Sequence, residues 1–396
     1  MQKGKKEVCI GTIGSGYAAY LHGDGFEKVT SVGIRLKTAC DLDSDRAHAL
    51  KNRYGYERTA TDYEELLRDP EIDIIDIVTP PYLHPDMIIK AMQAGKHVIC
   101  EKPLVGYYGQ EADKAPIGHT VKKSFMYRQV IQTLDEIRAA IKQSGKKFMY
   151  AENFVYATPI RKTAQIIRAK KSKILLMRGE ECVHGPISQE SNEWKFTGGG
   201  TLFRIGCHPL TGMLWLKQQE AIARGEQIAV KSVVADTGAL SKCLTDHEHR
   251  YLTTWPNDVE DFGTLIATFN DGTKMIALAT DIVQGGAKNY IECFCNDNTL
   301  QCNITPNDLL NTYLLDEEGM DKISLSPRLH TKTGWNKAFV SDSEIRGFLG
   351  ELEDFVEAVA YDREPESNFE LAYDTTRILY AAYISMEEGR RVDLSL

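Results

Sequence analysis

Glu101-Lys102-Pro103 closes the mostly apolar run Gly95-Lys96-His97-Val98-Ile99-Cys100, so an amine stands at the end of a short strand and a proline fixes it there. Far upstream, Gly14-x-Gly16-x-x-Ala19 follows another apolar run and opens a helical stretch, the context that makes this pattern a dinucleotide fingerprint. Gly14 permits the tight turn and Gly16 lets backbone approach a pyrophosphate. Ala19 keeps helix and strand close, with the phosphate charge facing the helix N-terminus. Asp41 ends the next strand, where its carboxylate can accept hydrogen bonds from both ribose hydroxyls and repel a 2′-phosphate, which favours NAD over NADP. Thr79-Pro80-Pro81 ends a third apolar strand and offers a stiff wall, with Thr79 and Pro81 as contacts of the nicotinamide–ribose portion. His84 is either a further cofactor contact or a structural histidine. Ligands of open parallel sheets sit at the carboxyl ends of the strands, which puts Glu101 and Lys102 at the nicotinamide end of the cofactor.

The elements that must hold these groups follow from periodicity. Glu7 to Ile13, Ile34 to Cys40, Ile72 to Val78 and His97 to Cys100 read as strands, with helical stretches at Tyr17 to about Lys28, Asp45 to Tyr54, Tyr63 to Leu67 and Pro85 to Ala94. That alternation predicts a parallel sheet with crossover helices. The segment from Leu104 to Lys122 breaks the rhythm and reads as a long loop or lid. A helix resumes with Val130, Leu134, Ile137 and Ile141 on one face and stops at Gly145. From Phe148 onward, strand-like runs joined by turns predominate, and Asn270-Asp271-Gly272 marks a hairpin. The first of these runs is Phe148 to Tyr156. Helices are expected at Pro159 to Ala169, His208 to Arg224, about Ile345 to Tyr361 and Leu371 to Glu388.

The fold class is therefore α/β: an N-terminal Rossmann domain and a C-terminal α+β domain with a large, mainly antiparallel open sheet. A chain of 396 residues suits two domains, an NAD-binding unit over 1–150 with a lid-like insertion at about 104–122, and a substrate-binding and oligomerisation unit over 151–396. The C-terminal helices of the second unit would pack back on the first. A formal net charge of -9 argues against a general nucleic-acid binder. The apolar runs fall short of the roughly 20 residues that span a bilayer. The 9 cysteines are scattered and contain no Cys-x-x-Cys pair, and the basic start Met1-Gln2-Lys3-Gly4-Lys5-Lys6 runs into a strand without a cleavable apolar segment. Reduced thiols in a cytoplasmic protein are the expectation.

With those residues in hand, the chain resembles the Gfo/Idh/MocA oxidoreductases (glucose–fructose oxidoreductase, inositol dehydrogenase and relatives). The matching pieces are Gly14-Ser15-Gly16-Tyr17-Ala18-Ala19, Thr79-Pro80-Pro81-Tyr82-Leu83-His84, Ala94 through Pro103, Gly198-Gly199-Gly200-Thr201-Leu202, Ala381-Ala382-Tyr383 and Gly389-Arg390-Arg391-Val392. Ser15 and Tyr17 join the cofactor contacts on that basis. The resemblance implies hydride transfer between NAD and a carbinol carbon of a sugar, cyclitol or glycoside, in a homo-oligomer (dimer or tetramer) whose open sheet roofs the active site. It also makes Lys102 the active-site lysine and His208 the catalytic histidine. Two positions depart from the family: where its dehydrogenases commonly carry an aspartate, four residues before the histidine, this chain has Arg204, and Thr211 replaces another.

Oxidising an alcohol needs a base for the hydroxyl proton. His208 has the right ordinary pKa, Lys102 would orient the hydroxyl or relay the proton, and arginine cannot be the base. Arg204 either clamps a substrate carboxylate or vicinal diol, or neutralises an internal acid such as Glu152. Asn153 and Tyr156, read on a strand, are expected at the nicotinamide and the substrate. Cys182-Val183-His184 and Cys207-His208 lack a strong zinc spacing, so no metal is expected and His184 reads as a substrate contact. Trp194 offers either an aromatic platform to the substrate or core packing. His247 and His249 lie in a polar insertion (Ser241 to Asp258) and read as surface, with a contact at the rim of the site as the alternative. Besides a dehydrogenase, a glycoside-cleaving enzyme with retained NAD and a non-catalytic NAD-binding regulatory protein stay open.

Overall fold

The computed structural model describes residues 6–186, 188–305, 310–318, 333–338 and 344–394, and the basic residues 1–5 lie outside them. Strand β1 (Glu7–Ile13) is buried at every position after the first, and α1 (Tyr17–Phe26) follows it directly. Then come β2 (Gly33–Cys40), α2 (Ser44–Tyr54), β3 (Arg58–Ala60), α3 (Glu64–Arg68), β4 (Ile74–Ile77), α4 (His84–Gln93) and β5 (His97–Glu101). With β6 (Phe148–Ala151) these strands form a 6-stranded sheet in the order β3-β2-β1-β4-β5-β6, parallel throughout. That is the Rossmann order, and the crevice where ligands bind lies where it reverses, between β1 and β4. Sequence periodicity missed β3, because the short polar stretch Arg58-Thr59-Ala60 carries no pattern a window can detect.

The insertion after Lys102 is stitched down. Leu104 and Val105 are fully buried, and Tyr107 N–H donates to Tyr380 Oη at 2.6 Å. Short helix α5 (Ile117–Thr120) leads into α6 (Lys123–Ser144), which ends at Gly145 in the left-handed region (φ 64) as expected.

After β6 the apolar run Phe154-Val155-Tyr156 does not continue the strand. Glu152 accepts the Phe154 N–H at 3.3 Å, and Asn153–Tyr156 coil into a 3-10 turn. An apolar run of that length has the same look in either state, which is why the strand from Phe148 to Tyr156 was overextended.

The rest of the chain runs α7 (Thr158–Lys170), β7 (Ile174–Cys182), α8 (Trp194–Thr197), α9 (Thr201–Arg204), α10 (Cys207–Arg224), β8 (Val230–Gly238), α11 (Asp246–His249), β9 (Phe262–Phe269), β10 (Lys274–Thr280), β11 (Lys288–Cys295) and β12 (Thr299–Asn303). A small hairpin, β13 (Leu310–Leu314) with β14 (Gly334–Ala338), precedes α12 (Phe348–Ala360), α13 (Phe369–Glu388) and β15 (Val392–Asp393). The second sheet has 7 strands in the order β12-β11-β7-β10-β9-β8-β15, antiparallel except for the parallel pair β7–β10. The turn at Asn270-Asp271-Gly272 closes the β9–β10 hairpin, with Gly272 at φ 86. Helix α10 is buried along most of its length between this sheet, α7 and α13, which anchors its first turn against the ends of β7 and β10. α12 packs on α1, and α13 on α6 and β8. No helix among the described residues is long and apolar enough to cross a membrane.

Candidate active site

The glycine turn has the shape that close backbone approach requires. Gly14 sits at φ 101, and a Cβ there would lie 2.7 Å from Val78 O, while the same atom built on Gly16 meets nothing within 4 Å. Ala19 is fully buried and packs with Ala39, Leu50 and Val78, holding α1 on the sheet. Asp41 accepts Ser15 N–H at 2.8 Å and Asp43 N–H at 2.9 Å, tying the glycine turn to the end of β2. A carboxylate has about four lone-pair sites, so both oxygens keep acceptor capacity. Ser15 Oγ is buried without a partner, whereas Tyr17 is 73% exposed. These features fit a dinucleotide.

His84 is fully buried, with Nε2 2.9 Å from Thr79 O and Nδ1 3.3 Å from Leu104 O. Burial pushes its imidazole below the ordinary value. The geometry suits the structural reading: the shorter contact gives the ring N–H to Thr79 O, and the ring links that wall to the start of the insertion. Pro81 begins the short turn Pro81–Leu83 beside it.

Beneath Lys102 lies a buried network that the sequence reading did not single out. His22 Nδ1 is 2.9 Å from Asp76 Oδ1, and its Nε2 is 3.4 Å from Glu101 Oε1. Asp76 also accepts from Thr12 Oγ1 at 3.2 Å, and Thr12 Oγ1 meets Tyr56 Oη at 2.8 Å. Burial opposes charge on His22, yet Asp76 and Glu101 push its imidazole well above the ordinary value. Burial would raise Glu101, but His22 and then Lys102 hold its carboxyl below the usual range. Glu101 Oε2 accepts the Lys102 N–H at 2.9 Å, so the network fixes the backbone that carries the amine.

Lys102 Nζ donates to Arg204 O at 3.3 Å, which brings the lysine to the turn before α10. His208 stands in the first turn of α10, with Nδ1 2.6 Å from Glu152 Oε1 and its ring stacked on Phe154 at 5.0 Å. Its Nε2 faces Glu181 Oε2 at 4.0 Å. Arg204 pairs with Asp281 and not with Glu152. Glu152, named above as a partner for Arg204, serves His208 instead, while Glu181 and Asp281 are buried carboxylates that composition and spacing did not mark, each coming from a different strand end. Glu152, Cys207 and His208 bring three potential ligand atoms within 4.8 Å of one another. The Glu152–His208 hydrogen bond accounts for that closeness, and burial pushes the Cys207 thiol well above its ordinary value.

The glycine run before α9 is held by Glu260, which accepts Gly200 N–H at 3.1 Å, Leu202 N–H at 3.0 Å and Tyr383 Oη at 2.8 Å. A Cβ on Gly200 would lie 2.3 Å from Glu260 O. Burial raises the Glu260 carboxyl to about 7, even though these donors favour its charged form.

Several expected contacts point elsewhere. Asn153 lies in the 3-10 turn and donates to Arg346 O at 2.8 Å, away from the neighbouring Glu152. Tyr156 gives its hydroxyl to Asp354 at 2.6 Å and accepts Ser367 N–H at 2.9 Å, packed into the core against Phe355. Trp194 is 2% exposed, with Nε1 donating to Tyr107 O at 3.1 Å, so the core-packing reading fits. His184 Nε2 meets Tyr251 O at 2.9 Å on the loop beside Asp281. His249, expected at the surface, is buried against Trp255 with ring centroids 3.5 Å apart.

Residues 8–115 match the family model described as the oxidoreductase family with an NAD-binding Rossmann fold. Over this NAD-binding segment the chain is similar to the Gfo/Idh/MocA oxidoreductases. It is 32% identical over 102 residues to levoglucosan dehydrogenase of Pseudarthrobacter phenanthrenivorans, which covers 24% of this chain and 26% of that one. It is 40% identical over 99 residues to scyllo-inositol 2-dehydrogenase (NAD(+)) of Bacillus subtilis, covering 25% and 28%. The matched segments thus span about a quarter of these curated relatives. The whole fold is shared with GenD2 from gentamicin A biosynthesis, solved in complex with NAD, at TM-score 0.77 and 20% identity over 99% of this chain and 97% of that one. At that identity the likeness shows the fold.

Proposed function

We propose that this protein is an NAD-dependent dehydrogenase acting on a secondary alcohol of a sugar, cyclitol or glycoside. The observation that carries the reading is the convergence at the Arg204 turn, where Lys102 Nζ lies 3.3 Å from Arg204 O and His208 is oriented by Glu152 at 2.6 Å. With its Nδ1 proton given to Glu152, His208 keeps a lone pair on Nε2 to take the hydroxyl proton. Lys102, placed by Glu101 and Pro103, orients that hydroxyl oxygen as a donor. Gly14, Ser15, Gly16, Asp41 and Thr79 would hold NAD, which supplies the hydride acceptor. Sugar and cyclitol dehydrogenases among the relatives support the substrate class.

The test is NADH formation at 340 nm, about the nicotinamide absorbance maximum, over cyclitols, free sugars and glycosides, with wild type and Lys102→Met. Turnover in the wild type that falls at least about a hundredfold in the variant supports the reading. Equal rates sink it. Product formed without net NADH moves the chain to the glycoside-cleaving alternative.

A further inference from the structure

Four buried polar atoms around His208 and Arg204 have no hydrogen-bond partner: Glu152 Oε2, Glu181 Oε2, Asp281 Oδ1 and Arg204 Nε. Buried polar atoms are almost always paired, so such a cluster calls for a ligand that supplies what is missing. Three of the four are carboxylate oxygens, which only accept, and one is an N–H, which only donates. A hydroxyl group does both. A substrate carboxylate would only accept, and would bring a further negative charge to a wall already holding Glu152, Glu181 and Asp281. The guanidinium that could answer it is committed to Asp281.

We propose that Glu181 receives the hydroxyl beside the reacting carbon, and that with Asp281 it restricts the site to uncharged polyhydroxy compounds. This rests on the dehydrogenase reading above. Glu181 lies near the end of β7, facing Ala279 of β10 on one side and Asn289 of β11 on the other. Asn289 Nδ2 steadies Oε1 at 3.5 Å, and Oε2 is left 4.0 Å from His208 Nε2. Neighbouring hydroxyls of one ring can reach both atoms, one losing its proton to His208 and the next donating to Glu181. The acid missing at Arg204 is thus supplied from the sheet instead of from the turn before α10.

Glu181→Gln keeps the shape and removes the charge. Steady-state kinetics should be run on the best neutral glycoside from the screen and on the uronate with the same aglycone, with the Kd for NAD measured in parallel by calorimetry. The expected result is a KM for the neutral substrate raised at least tenfold, an unchanged Kd for NAD, and a preference over the uronate that shrinks at least tenfold. Glu181→Asp should recover part of the loss. An unchanged KM and preference in Glu181→Gln, or a wild type that favours the uronate, overturns the proposal while leaving the dehydrogenase reading intact. A wild type that binds NAD and oxidises no alcohol removes both.

Discussion

His208 and Glu152 share one short contact, Nδ1 to Oε1 at 2.6 Å, made between the first turn of α10 and the residue just past β6. It joins the end of the first sheet to the helix that packs on the second, at the point where the proposed chemistry occurs. It also sets which nitrogen of the imidazole carries hydrogen, because a carboxylate can only accept.

Glu152→Gln should therefore misorient the imidazole or stabilise the wrong tautomer. The expected loss is about 10²–10⁴ in kcat, the range of a general base, with the affinity for NAD unchanged. Single-turnover absorbance would check it, and a loss below tenfold would remove Glu152 from this role.

His22 is 1% exposed between Asp76 and Glu101, with Glu351 close enough to feel its charge. Its folded pKa is raised, so the stability it contributes is fully present below its unfolded value of about 6.5 and is lost as pH rises through the higher folded value. His22→Ala leaves the buried Asp76 carboxylate without its cation and should cost about 3–5 kcal/mol at neutral pH. Urea unfolding checks this. A difference between variant and wild type that does not narrow as pH is raised above that unfolded value would contradict it.

Glu260 behaves in the same sense. Its carboxyl is raised to about 7, so its contribution is present below its unfolded value and declines as pH climbs through about 7. Over that window the wild type should lose on the order of 3 kcal/mol that Glu260→Gln, having no proton to lose, does not. Thermal unfolding at several pH values in both proteins reads the slope directly. Parallel slopes would refute the assignment.

Asp41→Ala removes the carboxylate that ties Ser15 N–H to the end of β2. The variant should bind NAD more weakly and shift the NADP-to-NAD ratio of kcat/KM upward at least about tenfold. An unchanged ratio would mean that another residue sets the preference.

The first half of the chain was the more legible. Alternation of apolar runs with helical spacing placed eight of its strands and helices near their observed bounds, from β1 through β5, and missed only β3. Gly14 and Lys102 announced themselves by being unusual residues at strand ends. The walls of the site did not. Glu152, Glu181, Asp281 and Glu260 are ordinary acids in sequence and become distinctive only when tertiary packing buries them around a histidine. His22 failed to stand out for a related reason: inside α1 nothing local shows that Asp76 and Glu101, from other strands, will enclose it. Trp194 and Tyr156 show the converse, since an aromatic ring that looks suited to a ligand serves as well in packing.

Asp258 takes Gly118 N–H on one oxygen and Trp194 N–H on the other, each at 2.8 Å. The segment that leaves Lys102 and the segment that leads to Arg204 are thereby parts of one truss. Trp194 Nε1 on Tyr107 O and Lys102 Nζ on Arg204 O are further struts across the same gap. Lys102, just past β5 of the first sheet, rests on a carbonyl 102 residues further along the chain, so the position of its amine is set only where both halves of the fold meet.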